Sequence, residues 1–207
     1  MELYLPELME TAGALANVQL PDPQLYTYYI NLDERKIWLD YDIDENTLEV
    51  VKQILRWNKE DAGKEPSDRK PIKIYIYCIG GKNEPSIALI NVCEISVTPI
   101  YTYNIGLAMS NGLDILLAGH KRFCLCGSSA LIHSGSVGMA GTSEQVKSAS
   151  DNYTKQLKWY EDYELRRTTI TKAEFKKHKG KDWYLSAEEQ LKFGVVNQII
   201  SDISDLL

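Results

Sequence analysis

Asn104-Ile-Gly-Leu-Ala-Met-Ser110-Asn-Gly-Leu-Asp114-Ile-Leu-Leu-Ala-Gly119 is the stretch that decides how this chain is read. An alternating run from Pro99 to Asn104 leads into it with the period of a strand, and an apolar segment of helix length follows, with Ser110 near its start. A hydroxyl at that junction lies where unpaired backbone N–H groups point outward and the helix dipole favours negative charge. Small residues at Gly106, Ala108 and Gly112 let a substrate or another chain approach the backbone closely. Read alone, Ser110 is more often a helix N-cap than a nucleophile. The rest of the chain must supply the base, the acid and the oxyanion site.

Upstream, Ile72 to Cys78 reads as a buried strand broken by Gly80-Gly81, and Pro85 to Ser96 as a helix. Downstream, Phe123 to Leu125 and Ala130 to His133 read as short strands. Strand–helix–strand–helix order predicts an α/β fold with parallel strands joined by right-handed crossovers. Closer to the N-terminus, Tyr28 to Leu32 and Lys36 to Ile43 alternate like strands around an Asp33-Glu34 turn. Asp44 to Thr47 opens a helix with Leu48, Val51, Ile54 and Leu55 at helical spacing, and Glu60 to Pro71 is a polar loop. Residues 1–27 carry no clean period and read as an N-terminal arm, with a single domain over 28–207. Ser134 to Thr142 is rich in glycine and serine.

Ser143 to Arg167 is the longest helix, with Val146, Ala149, Tyr153, Leu157 and Tyr160 along one stripe. Its length predicts that it projects from the domain or packs on another subunit. Ser186-Ala187-Glu188-Glu189 has the pattern of a capping box, and Val195 to Ile200 that of a last strand.

The 207 residues are 44% hydrophobic and carry a net charge of -6, so the chain can bury a core. It offers no basic stripe to neutralise phosphates, which argues against nucleic acid as a partner. The densest basic cluster, Lys176 to Lys181, reads as a solvated loop. No apolar run has the length of a membrane span, and Met1-Glu2 lacks the basic start of a signal peptide. Cys78, Cys93, Cys124 and Cys126 match neither a zinc site nor a disulfide framework. Cys124 and Cys126 are expected on one face of a strand. Reduced, mostly buried thiols imply a cytoplasmic location.

A serine nucleophile needs a base within reach and an acid behind the base. Of three histidines, His120 and His178 lie among basic residues and read as solvated, whereas His133 ends an apolar strand beside the Ser134-Gly135 turn. Strand ends next to loops commonly carry catalytic side chains. Among the acids, Asp182 precedes Trp183-Tyr184-Leu185, while Asp151 and Asp162 fall inside the long helix. Asp114 lies one turn after Ser110 and is expected in an ion pair within the helix or between subunits. Gly80-Gly81 after a strand could present N–H groups to an oxyanion, with the N–H of Asn111 as a second donor. An α/β-hydrolase is unlike this chain, because Ala108 stands where Gly-x-Ser-x-Gly needs its first glycine.

Taken in order, Gly80-Gly81, Gly106-Leu-Ala-Met-Ser110-Asn-Gly112, Leu116-Leu-Ala-Gly119, Lys121-Arg-Phe123, Ile132-His133, Asp182-Trp-Tyr-Leu-Ser-Ala187 and Phe193-Gly-Val195 resemble the Clp protease proteolytic subunit (ClpP) family. The resemblance runs from about Lys36 to the C-terminus. It implies a ClpP/crotonase-type wound ββα-repeat fold with a protruding "handle" helix over about 143–167. It also implies heptameric rings stacked in pairs around a degradation chamber, acting on unfolded proteins or peptides. By position, Ser110 matches the nucleophile, His133 the general base and Asp182 the orienting acid. Gly81 and Asn111 match the oxyanion-hole positions, and Gly80 with Ser134 to Thr142, beginning at Ser134-Gly135, the substrate-binding groove. No metal or cofactor is implied, since ATP is bound by a separate ring ATPase that feeds such peptidases.

Some positions depart from the family pattern. Cys78-Ile79 stands where the family has Ser-Pro before the glycines, and Asn111 where it has methionine after the nucleophile. On the ATPase-docking strand Tyr75 is present, but Lys73 replaces a second tyrosine. The N-terminal arm is unlike the family's axial loop. These departures motivate a second expectation, an ATPase-independent or phage-type processing peptidase. A crotonase-like acyl-CoA enzyme would use carboxylates in place of a Ser-His pair, and a non-catalytic ring component would not keep all three triad positions filled.

Overall fold

A computed structural model describes residues 23–206. Five strands form a parallel sheet in the order β1-β2-β3-β4-β7: β1 Lys36–Leu39, β2 Ile72–Cys78, β3 Ile100–Met109, β4 Lys121–Leu125 and β7 Gln198–Ile200. Two more strands attach off this path. β5 (Ser129–Ile132) pairs in parallel with the end of β3, and β6 (Trp183–Leu185) pairs antiparallel with β5. The crossovers from β1 to β4 run through α2 (Thr47–Glu60), α3 (Asn83–Ile95) and α4 (Asn111–Ala118). These helices pack in series, α2 on α3, α3 on α4, and α4 on α5 (Ser143–Arg167).

β3 is the hinge of the architecture. Its first half, Tyr101 to Asn104, pairs with β4, and its second half, Leu107 to Met109, pairs with β5. The sheet forks between them, which would leave backbone groups unpaired inside the protein. Buried Asn104 sits at the fork and donates to the Ser129 carbonyl (2.9 Å) and to Gln190 Oε1 (3.0 Å), while its Oδ1 accepts from Gly106 N–H (3.2 Å). Gln190 lies in α7 (Ala187–Lys192), which opens at Ser186 with the expected capping box.

On the sheet face away from the crossover helices, one rung of aromatic residues crosses four strands in register: Trp38, Tyr75, Tyr103 and Phe123. Successive rings stack with centroids 4.6, 5.0 and 4.8 Å apart. Each such pair adds about 0.5–1.5 kcal/mol beyond its buried area. The opposite face carries the main core, with Ile74, Ile76, Leu89, Ile90, Leu113 and Leu117 fully or almost fully buried.

Several expectations are corrected. Tyr28 to Leu32 is not a strand but part of helix α1 (Pro23–Asp33), and β1 stops at Leu39, short of Ile43. Of the expected N-terminal arm, residues 1–27, residues 1–22 lie outside the described residues and 23–27 begin helix α1. In α2, Ile54 is buried as expected and Val51 packs against the core, but Leu48 and Leu55 are exposed and Trp57 is buried. β3 continues five residues past Asn104, because Gly106, Leu107 and Ala108 suit a strand that changes partners. The first half of the basic "loop", Lys176 to His178, ends helix α6 (Lys172–His178), which is capped by the Thr171 side chain on Glu174 N–H (3.1 Å); Lys179 to Lys181 is a turn. Cys126 lies in the turn after β4 and is exposed, so it does not share a strand face with buried Cys124.

The long helix α5 spans the predicted limits, and its N-cap Thr142 forms a capping box with Gln145. Its first turns are exposed, and burial begins at Tyr160, continuing with Tyr163 and Glu164. The buried side therefore starts where the expected stripe ends.

Candidate active site

Ser110 sits between β3 and α4, at φ 53° and ψ −127°. For a residue with a Cβ this is a left-handed, sparsely populated conformation costing of order 1–3 kcal/mol. It is also not the geometry of an N-cap, and the Ser110 side chain makes no capping hydrogen bond to the helix. The backbone is fixed from both sides. Ser110 N–H donates to the Leu131 carbonyl (3.0 Å), and the Ser110 carbonyl accepts from Leu113 and Asp114 N–H at 2.8 and 3.1 Å.

The Gly80-Gly81 turn lies directly against this elbow. A Cβ on Gly80 (φ 105°) would stand 2.8 Å from Ser110 Cβ and 3.0 Å from the Met109 carbonyl oxygen. A Cβ on Gly81 (φ 151°) would collide with the Ile43 backbone. Only residues without side chains allow this approach. Among the described residues, neither Gly81 N–H nor Asn111 N–H donates a hydrogen bond, so both remain available as donors. The Asn111 side chain clamps the loop by donating to the Gly81 carbonyl (2.8 Å) and to Asn83 Oδ1 (3.2 Å).

His133 follows β5, beside the part of β3 that leads into Ser110. Its Nδ1 faces Asp182 Oδ1 at 3.6 Å, an ion-pair separation slightly beyond a hydrogen bond. Nε2 on the other side of the ring is buried without a partner. Asp182 is held by the register of β6, in which Trp183 lies opposite Ile132. Trp183 is in turn stacked on His178, centroids 4.0 Å apart. His178 is thus a support for the acid's strand and not a solvated histidine. His120 is exposed as expected, yet its Nδ1 accepts from Ile100 N–H (2.8 Å), and partial desolvation of the ring pushes its pKa down.

Ser110, Asn111, His133, Ser134 and Gly135 all line one cavity of about 460 Å3. Gly80, Gly81 and Asp182 stand outside it, the glycines against Ser110 and Asp182 behind the imidazole. The Ser134–Gly135 segment is pinned by Tyr153 of α5, whose hydroxyl donates to the Ser134 carbonyl (3.2 Å). The arrangement has the parts for acyl transfer: an exposed-elbow hydroxyl, an imidazole nitrogen without a partner, an acid behind it, and two free amides.

A model of the Clp protease family matches residues 22–202. This chain belongs to the Clp protease family. Among its curated relatives is an ATP-dependent Clp protease proteolytic subunit of Deinococcus radiodurans, 28% identical over 73% of this chain and 72% of that one. Another is proteolytic subunit 2 of Treponema pallidum, 28% identical over 84% of this chain and 86% of its own length. Among solved structures, a ClpP1 variant of Listeria monocytogenes superposes with a TM-score of 0.72 at 22% identity, covering 87% of this chain and 99% of that one. That likeness shows the ClpP fold. As a ClpP-type chain, the protein is a serine peptidase, a hydrolase of peptide bonds. Among the described residues, no helix is long and apolar enough to cross a membrane.

One part of the cavity was not read correctly from sequence. Asp114 is buried, and among the described residues it faces another acid, Glu164 of α5, rather than a cation of its own helix. Burial pushes both well above the ordinary carboxylate range; the hydrogen bond between them opposes this at Asp114 and adds to it at Glu164. The signal for a buried acid was present, since Asp114 interrupts an apolar helix. Nothing local singled out Glu164 among the charges of α5.

Proposed function

We propose that Ser110 is the nucleophile, His133 the general base, Asp182 the orienting acid, and the N–H groups of Gly81 and Asn111 the oxyanion hole. The observation that carries this reading is the strained Ser110 elbow, facing the cavity that His133 also lines while Gly80-Gly81 lies against it. Ser110 Oγ attacks the peptide carbonyl carbon as His133 Nε2 takes its proton. The two amides hold the oxyanion. On collapse the C–N bond breaks, the imidazolium returns its proton to the leaving amine, and an acyl-serine remains. Water, deprotonated by the same nitrogen, releases the acid. Asp182 keeps Nδ1 protonated and Nε2 free to act as base.

The substrate in this reading is an unfolded polypeptide or peptide lying along Gly80 and the Ser134 to Thr142 segment. The assembly is a homo-oligomer of heptameric rings stacked in pairs, joined through the exposed first half of α5. The free thiols support a cytoplasmic setting. A Clp-type ring ATPase is the partner that the relatives' names suggest. A second reading, ATPase-independent processing, is favoured by one observation: Tyr75 is buried, and its hydroxyl donates to the Leu206 carbonyl (2.7 Å), so the chain's own C-terminal segment lies over that strand.

A fluorophosphonate probe followed by intact mass tests the chemistry on the assembled protein. One adduct on the wild type and none on Ser110→Ala is expected. Equal labelling of both, or none of either, would overturn the assignment. Light scattering of the same preparation should give a mass seven or fourteen times that of the subunit.

A further inference from the structure

The cavity beside Ser110 ends in chemistry that peptide hydrolysis itself does not use. Asp114 and Glu164 line it together with Ser110 and His133, and are only 4% and 6% exposed. Asp114 Oδ1 is buried without a hydrogen-bond partner. Among the described residues no salt bridge reaches either carboxyl: Lys158 pairs with Asp162, Lys179 with Glu161, and Arg166 with Glu94. Nearby donors are also engaged elsewhere. Tyr163 hydroxyl donates to the Asp114 main-chain carbonyl (3.1 Å), Tyr160 hydroxyl to the Asn83 carbonyl (3.2 Å), and Arg167 to the carbonyls of Leu117 and Gly119.

A pocket for an apolar side chain gains nothing from two carboxyls in its wall, because a buried acceptor without a donor costs free energy. The same wall is complementary to a cation. Asp114 stands one helical turn along α4 from Ser110, a rise of about 5.4 Å, which the four-carbon stem of lysine can span.

We propose that this cavity receives the side chain on the acyl side of the cleaved bond, and that the Asp114–Glu164 pair selects lysine or arginine there. The proposal rests on Ser110 being the nucleophile. The incoming ammonium or guanidinium pairs with the two carboxyls, and a proton held there passes to solvent. Asp114 and Glu164 are specificity residues in this scheme and take no part in bond making. Tyr153, Leu157 and Tyr160 flank the aliphatic stem.

The test compares covalent capture by peptidyl diphenyl phosphonates that differ only in the side chain next to phosphorus: lysine-like, arginine-like and leucine-like. The fluorophosphonate is run in parallel on the same assembled protein, and adduct formation is followed by intact mass. The basic analogues are expected to react roughly 100-fold faster than the leucine analogue. In the double variant Asp114→Leu, Glu164→Met that ratio should invert. If that variant does not fold, the near-isosteric Asp114→Asn should lower the ratio by about tenfold, because half of the charged pair is gone. The leucine analogue reacting fastest with the wild type would overturn the proposal, as would fluorophosphonate labelling with no reaction of either basic analogue. No fluorophosphonate labelling at all would sink the Ser110 reading itself, and this proposal with it.

Discussion

At the scale of single residues, the consequence of the site geometry is that one serine is held in a conformation its type rarely adopts. A residue at φ 53° joining a strand to a helix persists only if the surroundings over-determine it, and here the Leu131 carbonyl and the glycine turn do so. Two substitutions probe how the neighbours act on it. Asp182→Asn should lower kcat for a fluorogenic peptide by about 10³-fold, because the wrong imidazole tautomer is then favoured. Its KM should stay near the wild-type value. Asn111→Ala keeps the main-chain N–H but removes the bonds to the Gly81 carbonyl and Asn83. It should lower kcat about tenfold, again with KM little changed, since a loosened donor is felt mostly in the transition state. A change confined to KM in either variant would contradict these roles.

At the scale of elements, the contact between α4 and α5 carries a built-in cost. Desolvation raises both carboxyls of the Asp114–Glu164 pair, and Asp114 and Glu161 add repulsion on Glu164. The folded state therefore holds protons on this pair to higher pH than the unfolded chain does, with its ordinary values of 3.8 and 4.5. With more protons bound in the native state, stability falls as pH rises above that range. Glu164→Gln keeps the shape and a donor toward Asp114. Its melting temperature should match wild type near pH 4 and exceed it at pH 7, in thermal unfolding followed by circular dichroism. A variant less stable than wild type at pH 7 would contradict this account of the pair. The same helices show how far sequence reaches: the limits of α5 are legible from its lack of breakers and its length, but which of its charges turn inward depends on α4.

For the whole molecule, the first crossover is fastened to the sheet by one buried ion pair. Arg35, at φ 57°, donates to both oxygens of fully buried Asp61 at 2.6 and 3.0 Å and to the Lys70 carbonyl at 2.9 Å. Thr98 hydroxyl adds a bond to the same carboxylate (2.9 Å). The Arg35 guanidinium holds Asp61 well below its ordinary value of 3.8. A depressed carboxyl contributes stability that is fully present above that ordinary value and is lost as pH falls through it toward the folded value. Asp61→Asn leaves the buried arginine only Glu60, at 3.5 Å, as an ionic partner, which should cost about 3 kcal/mol in denaturant unfolding at pH 7. The difference from wild type should shrink below about pH 4, where the unfolded chain takes up the proton. A cost independent of pH would mean that packing, and not charge, dominates at this site.

The sequence by itself determined the strand–helix alternation, the parallel core and the ordered motifs around Ser110, His133 and Asp182, because periodicity, breakers and caps act over a few residues. It misread Tyr28 to Leu32, where alternation was short and an adjoining proline could open a helix. It missed β6, whose three residues become a strand only by pairing with β5. It did not foresee that, among the described residues, the group facing Asp114 is the acid Glu164. What only the tertiary structure decided is the forking of β3 at Asn104, the closeness of Gly80 to Ser110, and the meeting of Asp114 with Glu164. Each of these joins residues brought together by different elements, and such contacts depend on how the chain packs, which no local pattern encodes.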